Sequence, residues 1–264
     1  MPRQERGERI YMEFGNIRRL LSHARRAVDD YHMIEEGDRI AVGVSGGKDS
    51  LALLAVMRNL QLFYPKHFEI VALTVDMGFE GGDFSSLISY YERLGVEYKI
   101  IPTTLADIVF EQRKETNPCA LCAKMRRGIL HDNAKALGCN KIALGHHFDD
   151  VVETFMMNLF NEGRLGTFSP VTYLSRKDLT MIRPFVLTPE KDIAYYARNV
   201  DLPVQTSLCP EDKHTDREKY KQLLIALERE NKGLRHRIFV AIKKADLDGY
   251  GSSRGMKRIE EKDI

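Results

Sequence analysis

Residues 40–50, Ile-Ala-Val-Gly-Val-Ser-Gly-Gly-Lys-Asp-Ser, carry an apolar strand pattern straight into a turn with two adjacent glycines, and a helical pattern begins at Leu51-Ala52-Leu53-Leu54. A strand that hands over to a helix through such a turn aims backbone N–H groups, and the positive end of the helix dipole, at one point in space. The glycines let main chain approach whatever sits there. The run Ser45-Gly46-Gly47-Lys48-Asp49-Ser50 is therefore expected to hold phosphate. It is not a Walker A loop, because Val42 stands where that motif requires its first glycine and Asp49 follows the lysine.

The loop constrains the rest of the fold. Short apolar segments at 40–44, 69–75, 98–100, 141–144 and 181–185 alternate with helical patterns at 51–60, 84–94, 122–137 and 151–160. Five strands separated by helices predict an α/β fold, a parallel five-stranded sheet with helices on both faces and a ligand site at the carboxyl ends of the strands. An amphipathic helix is expected over 15–33, with Arg18, Arg19, Arg25 and Arg26 on its outer face. Beyond Pro189 the pattern is purely helical, at 192–199, 216–229 and 234–245. The expected division is a helical segment over 1–35, the nucleotide domain over 36–200, and a helical segment with a basic tail over 201–264.

Composition narrows the class. A chain of 264 residues that is 43% apolar and 30% charged can bury a large core, and no window reaches the roughly 18 apolar residues of a membrane span. Residues 1–9 are charged and are not followed by the apolar stretch of a signal peptide. A cytoplasmic enzyme without a membrane partner is the expectation. The net charge of +2 leaves any nucleic-acid surface to be local, and the segment 229–258, with nine Lys or Arg against three acidic residues, is the second basic region after the first helix. For each region a solvated helix face is the competing reading.

Two further strand ends point to the same site: Leu73-Thr74-Val75-Asp76-Met77-Gly78 and Leu144-Gly145-His146-His147-Phe148-Asp149-Asp150, the latter running into a helix with Glu153 and Thr154. Asp149 and Asp150 are placed to hold Mg²⁺ through a few oxygens, or to cap the helix they open. His146 and His147 contact nucleotide or only shape the loop. Pro118-Cys119-Ala120-Leu121-Cys122 opens another helix, which puts two sulfurs within one turn of a helix N-terminus. Such a pair serves metal binding, thiol redox chemistry or plain burial. Cys209 is the candidate third ligand. Cys139 is expected to be a buried structural cysteine.

The run Ser-Gly-Gly-x-Asp-Ser after a first strand resembles the signature of the PP-loop ATP pyrophosphatases and matches it at every position. The resemblance implies an adenine nucleotide alpha hydrolase-like fold in which ATP is cleaved between its α and β phosphates and a substrate is adenylated. Ser45, Gly46, Gly47, Asp49 and Ser50 would cradle the pyrophosphate, and Lys48 would neutralise charge developing on it. Asp76, Gly145, His146 and Asp149 would line the nucleotide site, with Lys48, Asp49 and Asp150 as the catalytic groups and Mg²⁺ as the metal.

The order Pro-Cys-x-x-Cys, Arg126-Arg127-Gly128-Ile129-Leu130, Leu-Gly-His-His-x-Asp-Asp and Glu-Thr is similar to the tRNA 2-thiocytidine synthetase group over residues from about 15 to 209. Arg126 and Arg127 would face phosphate or tRNA, or only the helix surface. The similarity implies that Cys119, Cys122 and Cys209 hold a [4Fe-4S] cluster with one iron open to sulfur, zinc being the alternative. It further implies tRNA as partner, a sulfur donor such as a cysteine desulfurase or sulfide, and a homodimer. The implied reaction adenylates the C2 oxygen of a cytidine, in the anticodon loop, and replaces it with sulfur. The related 2-thiouridine synthetases carry zinc-ribbon Cys-x-x-Cys pairs at both ends, and this sequence has none. Competing readings are another PP-loop adenylating enzyme and a non-catalytic iron–sulfur RNA-binding protein.

Overall fold

The computed structural model describes residues 17–112, 118–206, 208–209 and 216–251. The charged residues 1–9, the expected helix start at 15–16, Ser207, Pro210 and the tail from 252 with Arg254, Lys257 and Arg258 lie outside the described residues.

The chain begins with α1 (Arg18–Asp30), β1 (Asp38–Gly43), α2 (Lys48–Phe63), β2 (Phe68–Asp76), α3 (Ser85–Leu94) and β3 (Glu97–Pro102). It continues through a π-helical turn (Asp107–Gln112), α4 (Pro118–Ala136), β4 (Lys141–Ala143), α5 (Phe148–Glu162), β5 (Val171–Leu174) and β6 (Leu179–Ile182). Three helices follow, α6 (Glu190–Asn199), α7 (Asp216–Glu230) and α8 (Leu234–Lys244). The sheet order is β3-β2-β1-β4-β6-β5. β3, β2, β1, β4 and β6 run parallel, with Val42 opposite both Ala72 and Ala143, whereas β5 pairs antiparallel with β6. The expected five-stranded sheet thus gains a sixth strand at its edge, and β6 begins two residues earlier than the expected 181. Val171-Thr172-Tyr173-Leu174 turns back through Asp178, whose φ of 46° closes a hairpin onto Leu179.

Alternation along the strands explains why both faces are covered. Ile40, Val42, Ile70 and Ala72 point into a core shared with α1, α2, α3 and α6, while Ala41, Val71 and Leu73 point into a second core with Ala134, Ile142 and Met181, against which Ile129 and Leu130 of α4 pack. Leu20, Leu21, Ala24, Ala27 and Val28 form the apolar stripe of α1. The opposite face of α1 exposes Arg18, Arg19, Arg25 and Arg26, of which Arg19 pairs with Asp192 at 3.2 Å, Arg25 with Asp29 at 3.6 Å and Arg26 with Asp30 at 3.5 Å. Tyr220 and Leu224 of α7 and Phe239 and Ile242 of α8 join the first core. Cys139, 2% exposed, lies in the second, as expected.

The amino ends of β1 and β4 are closed by a buried ion pair, Asp38–Lys141 at 2.7 Å. Its surroundings complete it: Asn140 Nδ2 donates to Asp38 Oδ1 at 2.7 Å, the Glu35 N–H donates to Asp38 Oδ2 at 2.6 Å, and Lys141 Nζ also donates to the Met33 carbonyl at 3.0 Å. At the opposite end the chain leaves β1 toward β2 on one side and returns through β4 on the other. The carboxyl ends of β1 and β4 therefore form the switch point of the sheet, the crevice where open α/β folds bind ligands.

Candidate active site

Two loops flank the switch point. The first follows β1: Gly46 takes a φ of 82°, in the left-handed region that favours glycine, and Gly47 is the extended N-cap of α2. Ser50 Oγ accepts from the Ser45 N–H at 3.1 Å and donates to the Gly47 carbonyl at 2.9 Å, so this hydroxyl holds the turn in shape from inside. The second follows β4. A Cβ on Gly145 would stand 3.2 Å from the Asp49 carbonyl carbon and 3.2 Å from the Ser50 nitrogen, so the glycine lets the two loops close on each other without pushing the α2 backbone aside.

His147 is the N-cap of α5. Its Nδ1 accepts from the Asp150 N–H at 3.3 Å, and Asp150 Oδ2 accepts from the His147 N–H at 2.8 Å. An accepting Nδ1 leaves the ring proton on Nε2, which faces Asp49 Oδ1 across 4.0 Å. The capping role considered for the Asp149-Asp150 pair is thus taken by Asp150, while its second oxygen, Oδ1, accepts from Arg217 at 2.7 Å. Asp149 Oδ1 accepts from Arg235 at 2.7 Å and its Oδ2 from the Glu190 N–H at 2.8 Å. Lys48 Nζ donates to Asp49 Oδ2 and to Glu190 Oε1, each at 3.0 Å.

The electrostatics follow from this packing. Burial works against the charge on Lys48, but Asp49 and Glu190 outweigh it and raise its pKa. Burial would raise Glu190, yet Lys221 and Lys48 pull it down to about 2. Glu153, 2% exposed, is pushed up to about 7 by burial and then by the neighbouring Asp150 charge, and its Oε1 bonds no protein group. His146 is held neutral, with a pKa down to about 3, by burial and by Arg183; its ring packs on Phe168 at 5.0 Å and its Nδ1 is buried without a partner. Asp49 Oδ1 is likewise buried and unbonded. Buried polar atoms without partners are rare in folded proteins, and several gathered at one strand end describe a site shaped for a ligand.

Asp76 ends β2, where its side chain closes the turn by accepting from the Gly78 N–H at 2.8 Å and its carbonyl accepts from Thr103 Oγ1 at 2.6 Å. Cys119 and Cys122 sit half-buried in the first turns of α4, and Cys209 is half-buried on the segment after α6. Burial pushes the Cys122 thiol up and Arg126 pulls it down, while Cys209 and Cys119 both push it up, so the three sulfurs share one electrostatic neighbourhood. Among the described residues no disulfide forms, and no three His, Cys, Asp or Glu side chains are closed around a single metal position. Three soft thiols near one another suit an iron–sulfur centre, but they would have to draw together to ligate it. The Arg127 Nε donates to the Ala123 carbonyl of its own helix at 3.3 Å.

Glu190, Gln205, Arg217, Lys221 and Arg235 belong to this site and were not expected from the sequence. Gln205 ties the segment after α6 to the glycine loop: its N–H donates to the Gly46 carbonyl at 3.0 Å and its Nε2 to the Asp83 carbonyl at 2.6 Å. Cys209 follows four residues later, a stretch that spans at most about 14 Å of extended chain. From the other side, Leu130 of α4 reaches within 3.2 Å of where a Cβ on Gly43 would stand, which lays the cysteine-bearing helix over the end of β1.

An α/β sheet with this glycine loop at its switch point defines a PP-loop domain, and the model of that family matches residues 19–227. The tRNA-cytidine(32) 2-sulfurtransferase of Ralstonia pickettii (strain 12J) is 39% identical over 254 residues, covering 92% of this chain and 81% of that protein. The enzyme of the same name from Geobacter metallireducens is 39% identical over 235 residues, 88% of this chain and 91% of its own. The chain belongs to the PP-loop family of tRNA-cytidine(32) 2-sulfurtransferases. Among solved structures, the U34-tRNA thiolase NcsA from Methanococcus maripaludis, determined with its [4Fe-4S] cluster, has the same fold, with a TM-score of 0.69 at 24% identity over 85% of this chain and 77% of that one. Among the described residues no helix is long and apolar enough to cross a membrane.

Proposed function

We propose that this protein is an ATP-dependent tRNA sulfurtransferase that replaces the C2 oxygen of a cytidine with sulfur. The names of the relatives place their target at cytidine 32, and we assign the same anticodon-loop position here. The observation that carries the reading is the meeting, at one switch point, of the Ser45–Ser50 loop, the Asp149-Asp150 pair and the segment that leads from Gln205 to Cys209.

In this reading the main-chain N–H groups of 45–50 and Lys48 hold the pyrophosphate portion of ATP, and Asp49, Asp149 and Asp150 supply oxygens for Mg²⁺. Asp76, Gly145 and His146 line the nucleoside side. The cytidine O2 attacks the α phosphorus, pyrophosphate leaves, and the C2 oxygen becomes part of a good leaving group. A [4Fe-4S] cluster on Cys119, Cys122 and Cys209 would supply the sulfur that takes its place, and AMP departs with the original oxygen. What the chain itself contributes is position and charge: it neutralises the leaving pyrophosphate and keeps the base and the three thiols on adjoining segments. A loop base must leave its stack to reach such a crevice, and the exposed arginines of α1 would grip phosphates by giving up their surface ion pairs with Asp192, Asp29 and Asp30. With it we propose a cytoplasmic location, a cysteine desulfurase or sulfide as sulfur source, and a homodimer.

Mass spectrometry of tRNA nucleosides tests it. A strain without the gene should lack 2-thiocytidine, and the wild-type chain but neither Lys48→Ala nor Cys122→Ala should restore it. Unchanged 2-thiocytidine in the deletion strain overturns the assignment.

A further inference from the structure

The helices α7 and α8 set three cations against the carboxylates of the nucleotide loops. Arg217 and Lys221 stand four residues apart on one face of α7, and Arg235 comes from the first turn of α8. Their bonding differs. Arg217 is satisfied at both terminal nitrogens, with one donating to Asp150 Oδ1 at 2.7 Å and the other to Thr154 Oγ1 at 3.2 Å, so it fastens α7 to α5. Arg235 reaches Asp149 through one nitrogen alone, and its Nε and second terminal nitrogen are buried with no acceptor.

A guanidinium offers five N–H donors in a rigid fork that suits phosphate oxygens, and donors left dry in a protein interior point to an acceptor-rich ligand. Lys221 carries the second sign. Its Nζ donates to Glu190 Oε1 at 2.9 Å, and Lys48 Nζ donates to the same oxygen at 3.0 Å. Two ammonium groups, no more than about 6 Å apart by those distances, repel each other, and Glu190 is the anion that holds them together. A polyphosphate would do the same with more oxygens.

We propose that Lys221 and Arg235 form, with Lys48, a cationic clasp for the polyphosphate tail of the nucleotide, closing the site from the C-terminal helices. Glu190 and Asp149 hold the clasp's cations in place until the ligand arrives. Ionised Glu190 is suited to that part, because both lysines keep its carboxyl far below the ordinary range. The inference rests on the nucleotide reading above and adds two binding residues that the loop signature does not contain.

Isothermal titration of the full-length chain with Mg²⁺ and either the β,γ-imido analogue of ATP or AMP separates the possibilities. Lys221→Met, at a side chain 31% exposed, tests the clasp without disturbing the core, and Arg235→Lys keeps the charge facing Asp149 while removing the fork. Loss of charge-assisted hydrogen bonds to the tail predicts that each variant binds the imido analogue about 10- to 100-fold more weakly and binds AMP as the wild type does. Unaltered analogue binding in Lys221→Met, or equal losses for the analogue and AMP, overturns the clasp. Wild-type protein that binds neither nucleotide overturns the nucleotide reading instead.

Discussion

At the amino ends of β1 and β4, Asp38 and Lys141 meet at 2.7 Å inside a set of hydrogen bonds that accounts for both carboxylate oxygens and the ammonium. At the carboxyl ends of the same strands, Asp49, His146, Glu153 and Arg235 keep buried polar atoms that no described protein group reaches. Both ends bury charge, so charge alone does not mark function. The difference lies in completion. Taking one partner out of a finished pair strands the other charge in the interior and damages the fold, whereas an unfinished set is held by the surrounding structure and awaits an outside partner. The scaffold that makes this tolerable is the pair of cores above and below the sheet, which fix β1 and β4 whatever happens at their tips.

Substitutions should separate the two ends. Lys48→Ala and Asp49→Ala are expected to lower tRNA thiolation by about 10³-fold, the scale of losing a preorganised charge at a transition state, with melting temperatures near that of the wild type. Activity within tenfold of wild type would merge the two ends into one structural class. Lys141→Met should do the reverse. It leaves Asp38 buried without its cation, a loss of about 3–5 kcal/mol in a urea titration, while the folded fraction binds nucleotide unchanged.

Glu153→Gln sharpens the contrast through pH. The folded carboxyl, raised to about 7 from an ordinary 4.5, takes up a proton that the unfolded chain releases. Its contribution is therefore fully present below about pH 4.5 and is lost as pH rises through about 7. A glutamine is neutral throughout, so the variant should gain on the order of 2–3 kcal/mol relative to wild type between pH 5 and pH 8. Parallel stability profiles would mean that Glu153 is ionised in the fold. The smallest expected effect is at Cys139: Cys139→Ala should cost about 1 kcal/mol and leave the visible absorbance of the anaerobically purified protein intact. Cys122→Ala should abolish that absorbance, and a colourless wild-type protein loaded with zinc would remove the iron–sulfur reading.

The parts of the site visible in the sequence are those that lie within one strand-to-helix handover. Ser45 to Ser50, Gly145 to Asp150 and Cys119-Cys122 each have a local reason for their spacing: a turn, a cap or a helix start. Glu190 of α6 reaches Lys48 over a sequence separation of 142, and Arg235 of α8 reaches Asp149 over 86; in the sequence Arg217, Lys221 and Arg235 look like any solvated helix face. Their role is set by where β6 and α6 deliver the chain, which no periodicity records. The sixth strand was missed for a different reason. Four residues, Val171 to Leu174, are too short a run for alternation to stand out, and their partner lies across a turn through Asp178 rather than a glycine.

In the proposed reaction the carboxyl ends of β1 and β4 split ATP between its α and β phosphates in order to activate a tRNA base. Incubating the purified, cluster-loaded protein with sulfide and with ATP radiolabelled at the α or γ position, with and without tRNA, measures this directly. AMP and pyrophosphate should appear in equal amounts, formed only when tRNA is present and absent in Lys48→Ala. ADP and inorganic phosphate as products, or pyrophosphate release indifferent to tRNA, would contradict it.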